Sequence, residues 1–267
     1  MPPVKIQLDA PPVVMIEGIP FAALRMKEVA HFIIYRHTQG HGGWVVTPNI
    51  DIFRRLVTDP AFHTLVRSET TLFTADGAPI IWLSHILGTP LPERVAGSDI
   101  FVELVSEAAS NGKSVYLLGG NPGVADVAAK ILQKSHPALC VAGCYAPPFG
   151  FENDAEEMAK IRQFLMTTRP DIIFVGLGSP KQEQLIATLR DLLPNSWWLG
   201  IGVSFSFVAG DVQRAPIWMR KIGLEWFYRV LQEPKRLFKR YFLVGIPFAL
   251  GLFGRTLIRR IGFSSKR

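Results

Sequence analysis

The 267-residue sequence predicts an α/β fold, a mostly parallel sheet flanked by helices. Three observations carry this. Short runs rich in β-branched and aromatic residues alternate with longer amphipathic segments, the pattern of strand–helix–strand units. The runs at 115–118 and 172–177 are apolar throughout, as strands covered on both faces are. Most apparent strand ends carry Gly, Asn or Asp, the residues of tight turns.

The elements follow in order. Residues 1–20 hold five prolines, which predicts an extended arm with a short edge hairpin near 13–17. A helix is expected over 21–39, a strand at 44–47 and a helix at 50–58. The next strand is expected at 72–75, followed by helices at 77–87 and 99–112. Strands at 114–119, 139–144, 171–177 and 197–203 alternate with helices at 122–135, 153–168 and 180–192. A last helix is expected at 214–232. The alternation stops near 210–216, which divides a body, 1–211, from an appendage, 212–267.

Composition narrows the class. A hydrophobic share of 48%, with 18 Phe, 6 Trp and 5 Tyr, excludes a disordered chain. Two cysteines, Cys140 and Cys144, are too few for a disulfide scaffold. No run of about 18 uncharged apolar residues occurs, which excludes a polytopic membrane protein. The start lacks a charged segment followed by a long apolar one, so the bulk is expected in the cytoplasm. The formal charge of +7 divides unevenly. Residues 212–267 hold 13 Lys/Arg and 2 Glu, a net +11; the rest hold 16 Lys/Arg and 20 Asp/Glu, a net −4. A mildly acidic body with a basic tail calls for a polyanionic partner, nucleic acid or an anionic membrane surface, unless the tail is merely a solvated helix.

In that tail Arg214, Arg220, Arg229, Arg236 and Arg240 are interleaved with Trp218, Trp226, Phe227 and Phe238. Arg229, Arg236 and Arg240 share a helical face unless Pro234 breaks the register. Residues 241–254 carry no charge. As a helix they reach about 21 Å, short of a hydrocarbon core of about 30 Å. Pro247 is expected to disturb a straight span. Basic flanks and aromatics favour a segment lying in the membrane interface. A helical pair packed on the body is the alternative; a nucleic-acid arm fits poorly with an uncharged Leu/Phe/Gly run.

Open α/β sheets bind ligands beyond the carboxyl ends of their strands. Gly119-Gly120-Asn121-Pro122-Gly123 follows a strand and opens a helix, where free N–H groups face an anion, or it is simply a tight connection. Gly178-Ser179-Pro180-Lys181-Gln182-Glu183 places Ser179 to cap a helix, Pro180 at its first position and Lys181 in its first turn. A lysine set against the helix dipole suggests an anionic ligand; a capped surface helix is the alternative. Asp76, between Ala75 and Gly77, is a candidate general base or a helix cap. Thr47, Asn49 and Arg94 lie near strand ends, and Arg94 either clamps a phosphate or pairs with Glu93 or Asp99. No Cys/His cluster has zinc spacing, no Asp-x-Asp occurs, and the nucleophile-elbow and dinucleotide fingerprints are absent. No metal and no cofactor are therefore expected.

Taken in order, Thr47-Pro-Asn49, Ala75-Asp76-Gly77, Arg94-Val-Ala-Gly-Ser-Asp99, Gly119-Gly-Asn-Pro-Gly123, Gly178-Ser-Pro-Lys-Gln-Glu183, Gly200-Ile-Gly-Val-Ser-Phe-Ser-Phe-Val-Ala-Gly210, Arg214-Ala-Pro-Ile-Trp218 and Gly223-Leu-Glu-Trp-Phe-Tyr-Arg229 with Glu233-Pro234 resemble the WecG/TagA/CpsF family of glycosyltransferases, glycosyltransferase family 26, over roughly 44–241. The resemblance implies a Rossmann-like body with a helical membrane-docking appendage. It implies inverting, metal-independent transfer of N-acetylmannosamine, its uronic acid, glucose or a related hexose from a UDP-sugar donor to a polyprenyl-diphosphate-linked saccharide acceptor, in cell-surface polysaccharide synthesis. By that likeness Asp76 matches the proposed base, and Thr47, Asn49, Arg94 and Gln182 match pocket positions. Gly119, Gly120, Gly178, Ser179, Lys181, Glu183, Gly202 and Ser206 fall to substrate binding. Arg214, Arg220, Arg229, Arg236 and Arg240 fall to the acceptor diphosphate and the membrane. Three departures stand out. Ser206 follows Phe205 where the family has Asp, Ile50-Asp51 follows Asn49 where it often has Pro-Glu, and 241–267 runs past the ends of shorter members.

The expectation is thus a peripheral or monotopic enzyme on the cytoplasmic face of a bacterial inner membrane, with no nucleic-acid partner and with self-association open. A membrane-tethered nucleotide-sugar-binding module without turnover is the rival.

Overall fold

The computed structural model of the protein describes residues 10–264. The expected proline-rich arm falls partly on 1–9, outside the described residues. The strands are β1 (Val13–Ile16), β2 (Ile19–Ala22), β3 (Gly43–Val46), β4 (Thr71–Phe73), β5 (Ser114–Gly119), β6 (Cys140–Tyr145), β7 (Ile172–Gly176) and β8 (Trp197–Gly200). They form one sheet in the order β1-β2-β4-β3-β8-β7-β5-β6. Only the β1–β2 hairpin is antiparallel; all other pairings are parallel.

The helices of the body are α1 (Met26–Thr38), α2 (Ile50–Thr58), α3 (Pro60–Val66), α4 (Ala78–Ile86), α5 (Gly97–Ser110), α6 (Val124–Ser135), α7 (Ala155–Thr168), α8 (Lys181–Leu189) and α9 (Ser204–Ala209). Those of the tail are α10 (Ile217–Lys221), α11 (Glu225–Gln232), α12 (Pro234–Phe238) and α13 (Ile246–Ser264).

The interior strands β3, β5, β7 and β8 are buried on both faces because their residues alternate between two cores. Trp44, Val46, Phe73, Tyr116, Leu118, Ile173, Val175 and Trp198 point to one face, under α2, α3, α4, α7 and α8. Val45, Leu72, Val115, Leu117, Ile172, Phe174 and Leu199 point to the other, under α1, α5, α6 and α9. Asn49 caps α2 by accepting from the Asp51 and Ile52 amides at 3.1 and 3.2 Å. Asp59 does the same for α3, with Pro60 at its first position.

The structure corrects the expected elements at several points. The helix expected from 21 starts at Met26, because Ile19–Ala22 turns back on β1 and adds a parallel edge to β4 through Phe21 and Phe73. Helix α3 was not foreseen. The helix expected over 214–232 is two, divided at Gly223, whose φ of 78° ends α10. Pro247 does not break the tail helix. A seven-residue π-helical stretch, Lys239–Gly245, lies between α12 and α13, and the helix continues through the proline.

The tail packs on the body with one side and leaves the other bare. Leu252 is fully buried, and Phe248 meets Phe53 at 6.3 Å between ring centroids. Ile50, Val230, Leu237 and Tyr241 form a small core of their own between α2 and the tail. Leu243, Leu250, Leu257 and Ile258 are exposed. The run 241–254 is therefore packed on the body along one side, as the helical-pair reading expects, and leaves an open apolar surface along the other.

Candidate active site

Five adjacent parallel strands, β4-β3-β8-β7-β5, end on one rim. The loops that leave them, with the tail arching over, enclose a cavity of about 1090 Å³. The rim supplies Thr47, Asn49, Asp76, Arg94, Gly120, Gly178, Ser179, Lys181, Gln182, Gly202 and Ser206. Arg229, Arg236 and Arg240 line it from the tail. Glu233 interrupts the helix between α11 and α12, so the three arginines do not share one regular face, yet they converge on the same space.

Asp76 is the acid of the floor. It follows β4, and its amide donates to the Pro48 carbonyl at 3.1 Å. It does not cap α4, whose N-cap is Gly77. One Arg94 nitrogen donates to the Asp76 carbonyl at 3.3 Å and to its Oδ1 at 3.4 Å. The other donates to Asp99 at 3.3 Å. Burial pushes the Asp76 carboxyl up to about 6, with Glu225 and Asp99 acting in the same direction and Arg94 opposing. Its side chain keeps 26% of its surface open, toward the cavity.

Gln182 and the glycines shape the rim. Gln182 is buried, accepts from the Gly202 amide at 3.0 Å and donates to Glu183 at 2.9 Å. A Cβ on Gly200 would lie 2.6 Å from the Gln182 amide nitrogen, so a side chain there would displace Gln182 from the Gly202 amide. Gly119 has φ 106°, and a Cβ on it would meet the Gly176 carbonyl at 2.9 Å. It shapes the turn between paired strand ends without lining the cavity. Glu183 also lies beneath the lining, and burial holds its carboxyl above the usual range. Ser179 does not cap α8; its buried hydroxyl faces the Glu183 carboxyl instead. Lys181 is paired with Glu152 and lies over the exposed Phe149 ring, 4.7 Å from its centroid, at the mouth.

Arg214 and Arg220 stand behind the wall. Arg214 binds Asp99 at 2.6 Å, Glu225 at 3.0 Å and the Ser98 hydroxyl at 2.6 Å. Arg220 reaches Asp99 at 3.7 Å. Asp99 thus collects three arginines, one of which also holds Asp76. Asp51, buried in α2, likewise faces Arg54, Arg55 and the tail's Arg240. Sequence reasoning missed Asp51, Asp99 and Glu225 as anchors of the tail. All three lay inside or beside the motifs, but nothing in their spacing showed that the tail returns to them.

Among the described residues no three His, Cys, Asp or Glu side chains lie together so as to hold a metal ion.

A mostly parallel α/β sheet with a cavity at the carboxyl ends of its strands, lined by arginines, carboxylates and apolar side chains, has the architecture of an enzyme with its ligand site at that rim. The comparisons narrow the class. The family described as "Glycosyl transferase WecG/TagA/CpsF family" matches residues 14–262. The chain is 31% identical over 213 residues to an N-acetylglucosaminyldiphosphoundecaprenol N-acetyl-beta-D-mannosaminyltransferase of Bacillus spizizenii, covering 78% of this chain and 80% of the relative. It is 32% identical over 195 residues to a protein of the same description from Bacillus subtilis, covering 73% of each. A third, from Staphylococcus aureus, is 32% identical over 194 residues, with 73% of this chain and 74% of the relative covered. The chain belongs to the WecG/TagA/CpsF family and is a glycosyltransferase.

Proposed function

We propose that the enzyme transfers a hexose from a UDP-sugar to a polyprenyl-diphosphate-linked saccharide, with inversion at the anomeric carbon. N-acetylmannosamine is the favoured sugar and N-acetylglucosamine on undecaprenyl diphosphate the favoured acceptor, since the relatives are described by that pair. The uronic acid of N-acetylmannosamine, glucose and related hexoses remain in the donor screen.

The observation that carries the reading is Asp76. A carboxylate with a pKa near 6 is ionised at neutral pH yet basic enough to draw a proton from an attacking hydroxyl. In the proposed step Asp76 takes the proton of the acceptor hydroxyl as its oxygen bonds to the anomeric carbon and the bond to the UDP oxygen breaks. Arg94 keeps the carboxylate oriented and ionised. Charge gathering on the departing diphosphate meets amides of the glycine loops and Lys181. Thr47, Asn49, Gln182 and Ser206 shape the donor side, and Arg229, Arg236 and Arg240 face the acceptor diphosphate.

The described helix Pro234–Ile258 is long and apolar enough to cross a membrane, with a mean hydropathy of 1.6. Because one side of it packs on the body, we assign it to peripheral or monotopic docking on the cytoplasmic face, where nucleotide sugars are available. A donor screen with a prenyl-diphosphate N-acetylglucosamine tests the whole reading. UDP release and a product heavier by one N-acetylhexosamine are expected from UDP-N-acetylmannosamine. No release from any UDP-hexose would overturn it.

A further inference from the structure

The cavity is not uniformly polar. From Asp76 it runs outward between two helices whose facing residues are apolar. Ala78, Pro79 and Trp82 line it from α4, and Ile246, Ala249, Leu250 and Phe253 from α13. The α13 positions are spaced three, one and three apart, which puts them on a single helical face. Trp82 and Phe253 meet at the outer end, their ring centroids 6.4 Å apart. Trp82 is 53% exposed and Leu250 65% exposed, so this wall continues onto the open apolar side of the tail.

The inner end has the opposite character. Arg229 and Arg236 share Glu233, and Arg240 shares Asp51 with Arg54 and Arg55. Of these five arginines, Arg229, Arg236 and Arg240 line the cavity, with Arg236 61% exposed at its edge, and they share Glu233 and Asp51 with their neighbours, so the tail side of the lining is cationic. The cavity is therefore one continuous site, arginine-lined beside α11 and α12 and apolar between α4 and α13, with Asp76 at its base.

We infer that the slot between α4 and α13 holds the first isoprene units of the acceptor's lipid chain, its diphosphate resting at the arginines. This rests on the reading of the enzyme as a polyprenyl-diphosphate saccharide transferase. A linear amphiphile with a doubly charged head and an apolar chain matches the order of the lining. Ile246 to Phe253 rises about 10 Å along the helix, room for roughly two isoprene units before the chain leaves for the lipid phase. Trp82 and Phe253 mark where it leaves.

The test is an acceptor series of N-acetylglucosamine diphosphates carrying one, three and six isoprene units in detergent micelles, with UDP-N-acetylmannosamine as donor. For the parent enzyme kcat/KM should rise about tenfold or more from one unit to three and then level off, because the slot is full. In Trp82→Ala and Phe253→Ala that rise should fall to within about twofold. A parent without the rise, a rise that continues to six units, or variants that keep it would each overturn the slot, since partition into micelles alone has no reason to saturate or to depend on these two rings. A second measurement needs neither turnover nor a variant. A prenyl diphosphate with a photoreactive diazirine on its second unit should label the unaltered enzyme within 78–86 and 246–253. Label confined to other segments would also overturn the slot. Failure of the transferase reading looks different, because UDP release is then absent with every acceptor while labelling still reports on the slot.

Discussion

The two walls of the cavity are held by different forces. The rim belongs to the sheet. Its loops leave paired strands, Gly120 donates to the Gly176 carbonyl at 2.7 Å, and Gln182 fastens the Gly202 amide from a fully buried position. The tail wall belongs to ion pairs. Arg214 and Arg220 reach Asp99, Arg240 reaches Asp51, and a small cluster around Tyr241 supplies the apolar contact. A wall built on strands fixes atoms to a fraction of an ångström, which bond-making needs. Partly exposed ion pairs exchange readily with other anions. We propose that the rim carries the chemistry and the tail captures the acceptor, a division that experiment can break.

The largest effect should come from the rim. Asp76→Asn keeps the shape of the floor and removes the base. We expect kcat to fall by about 10² to 10⁴, while near-UV circular dichroism and vesicle binding stay as in the parent. Near-full turnover would end the assignment of Asp76.

The tail should show the reverse pattern. Replacing Arg229, Arg236 and Arg240 together by Gln should weaken partition onto anionic vesicles. Each basic residue contributes about 1 kcal/mol near such a surface, and existing pairing with Glu233 and Asp51 reduces that, so a loss of ten- to thirtyfold is expected. Raising the salt should shrink the difference between parent and variant. If neither salt nor substitution moves vesicle binding, the apolar face of α13 anchors the tail alone.

Asp99→Asn probes the joint between the walls. It removes the acid that three arginines share, and with it the second hold on Arg94. Faster protease cleavage near 210–224 and a drop in kcat/KM of about tenfold are expected. Unchanged cleavage would mean that the apolar cluster, and not the ion pairs, fixes the tail.

A further effect is in stability. Asp76 has its folded pKa raised from 3.8 to about 6, so the folded state holds that proton more tightly than the unfolded chain. Its contribution to stability is complete below about pH 4 and is lost as pH rises through 6. The parent should lose on the order of 2 kcal/mol across this window relative to Asp76→Asn. The same titration should make kcat/KM climb through pH 6. Urea melts of the two proteins at pH 4 and pH 7.5, with a pH–rate profile, check both signs.

What was legible from sequence follows the same division. The interior strands declare themselves because a strand buried on both faces is apolar at every position, and β5 begins and ends where its composition says it should. The rim loops were legible because Gly, Asn and Asp cluster where strands turn into helices. β2 was not, since Pro20 argues against a strand; it survives at the hairpin, where Met15↔Pro20 pairs it with β1. Helix α3 carried an Asp59-Pro60 start signal but is only seven residues long. The anchors of the tail were illegible for a different reason. The match of Arg240 with Asp51 or Arg214 with Asp99 spans more than a hundred residues, and no local periodicity encodes which acid a distant arginine will meet. Ser206, where the family's pattern has Asp, lines the cavity and is buried, so that position meets the cavity without supplying a charge.

The π-helical stretch at Lys239–Gly245 has a consequence for how this tail can vary. The Ile246 amide reaches back five residues to the Tyr241 carbonyl, which inserts one residue more than an α-helix would use. That extra residue sets the phase of everything beyond it. Arg236 and Arg240 face the cavity before it, and Ile246, Ala249, Leu250 and Phe253 face it after. Deleting one residue here would rotate α13 by about 100° and turn its lining side toward solvent. The exposed side chains of this stretch can be exchanged one at a time, but the number of residues between Arg240 and Ile246 has to stay fixed, a spacer that keeps the charged and greasy halves of the tail on the same side.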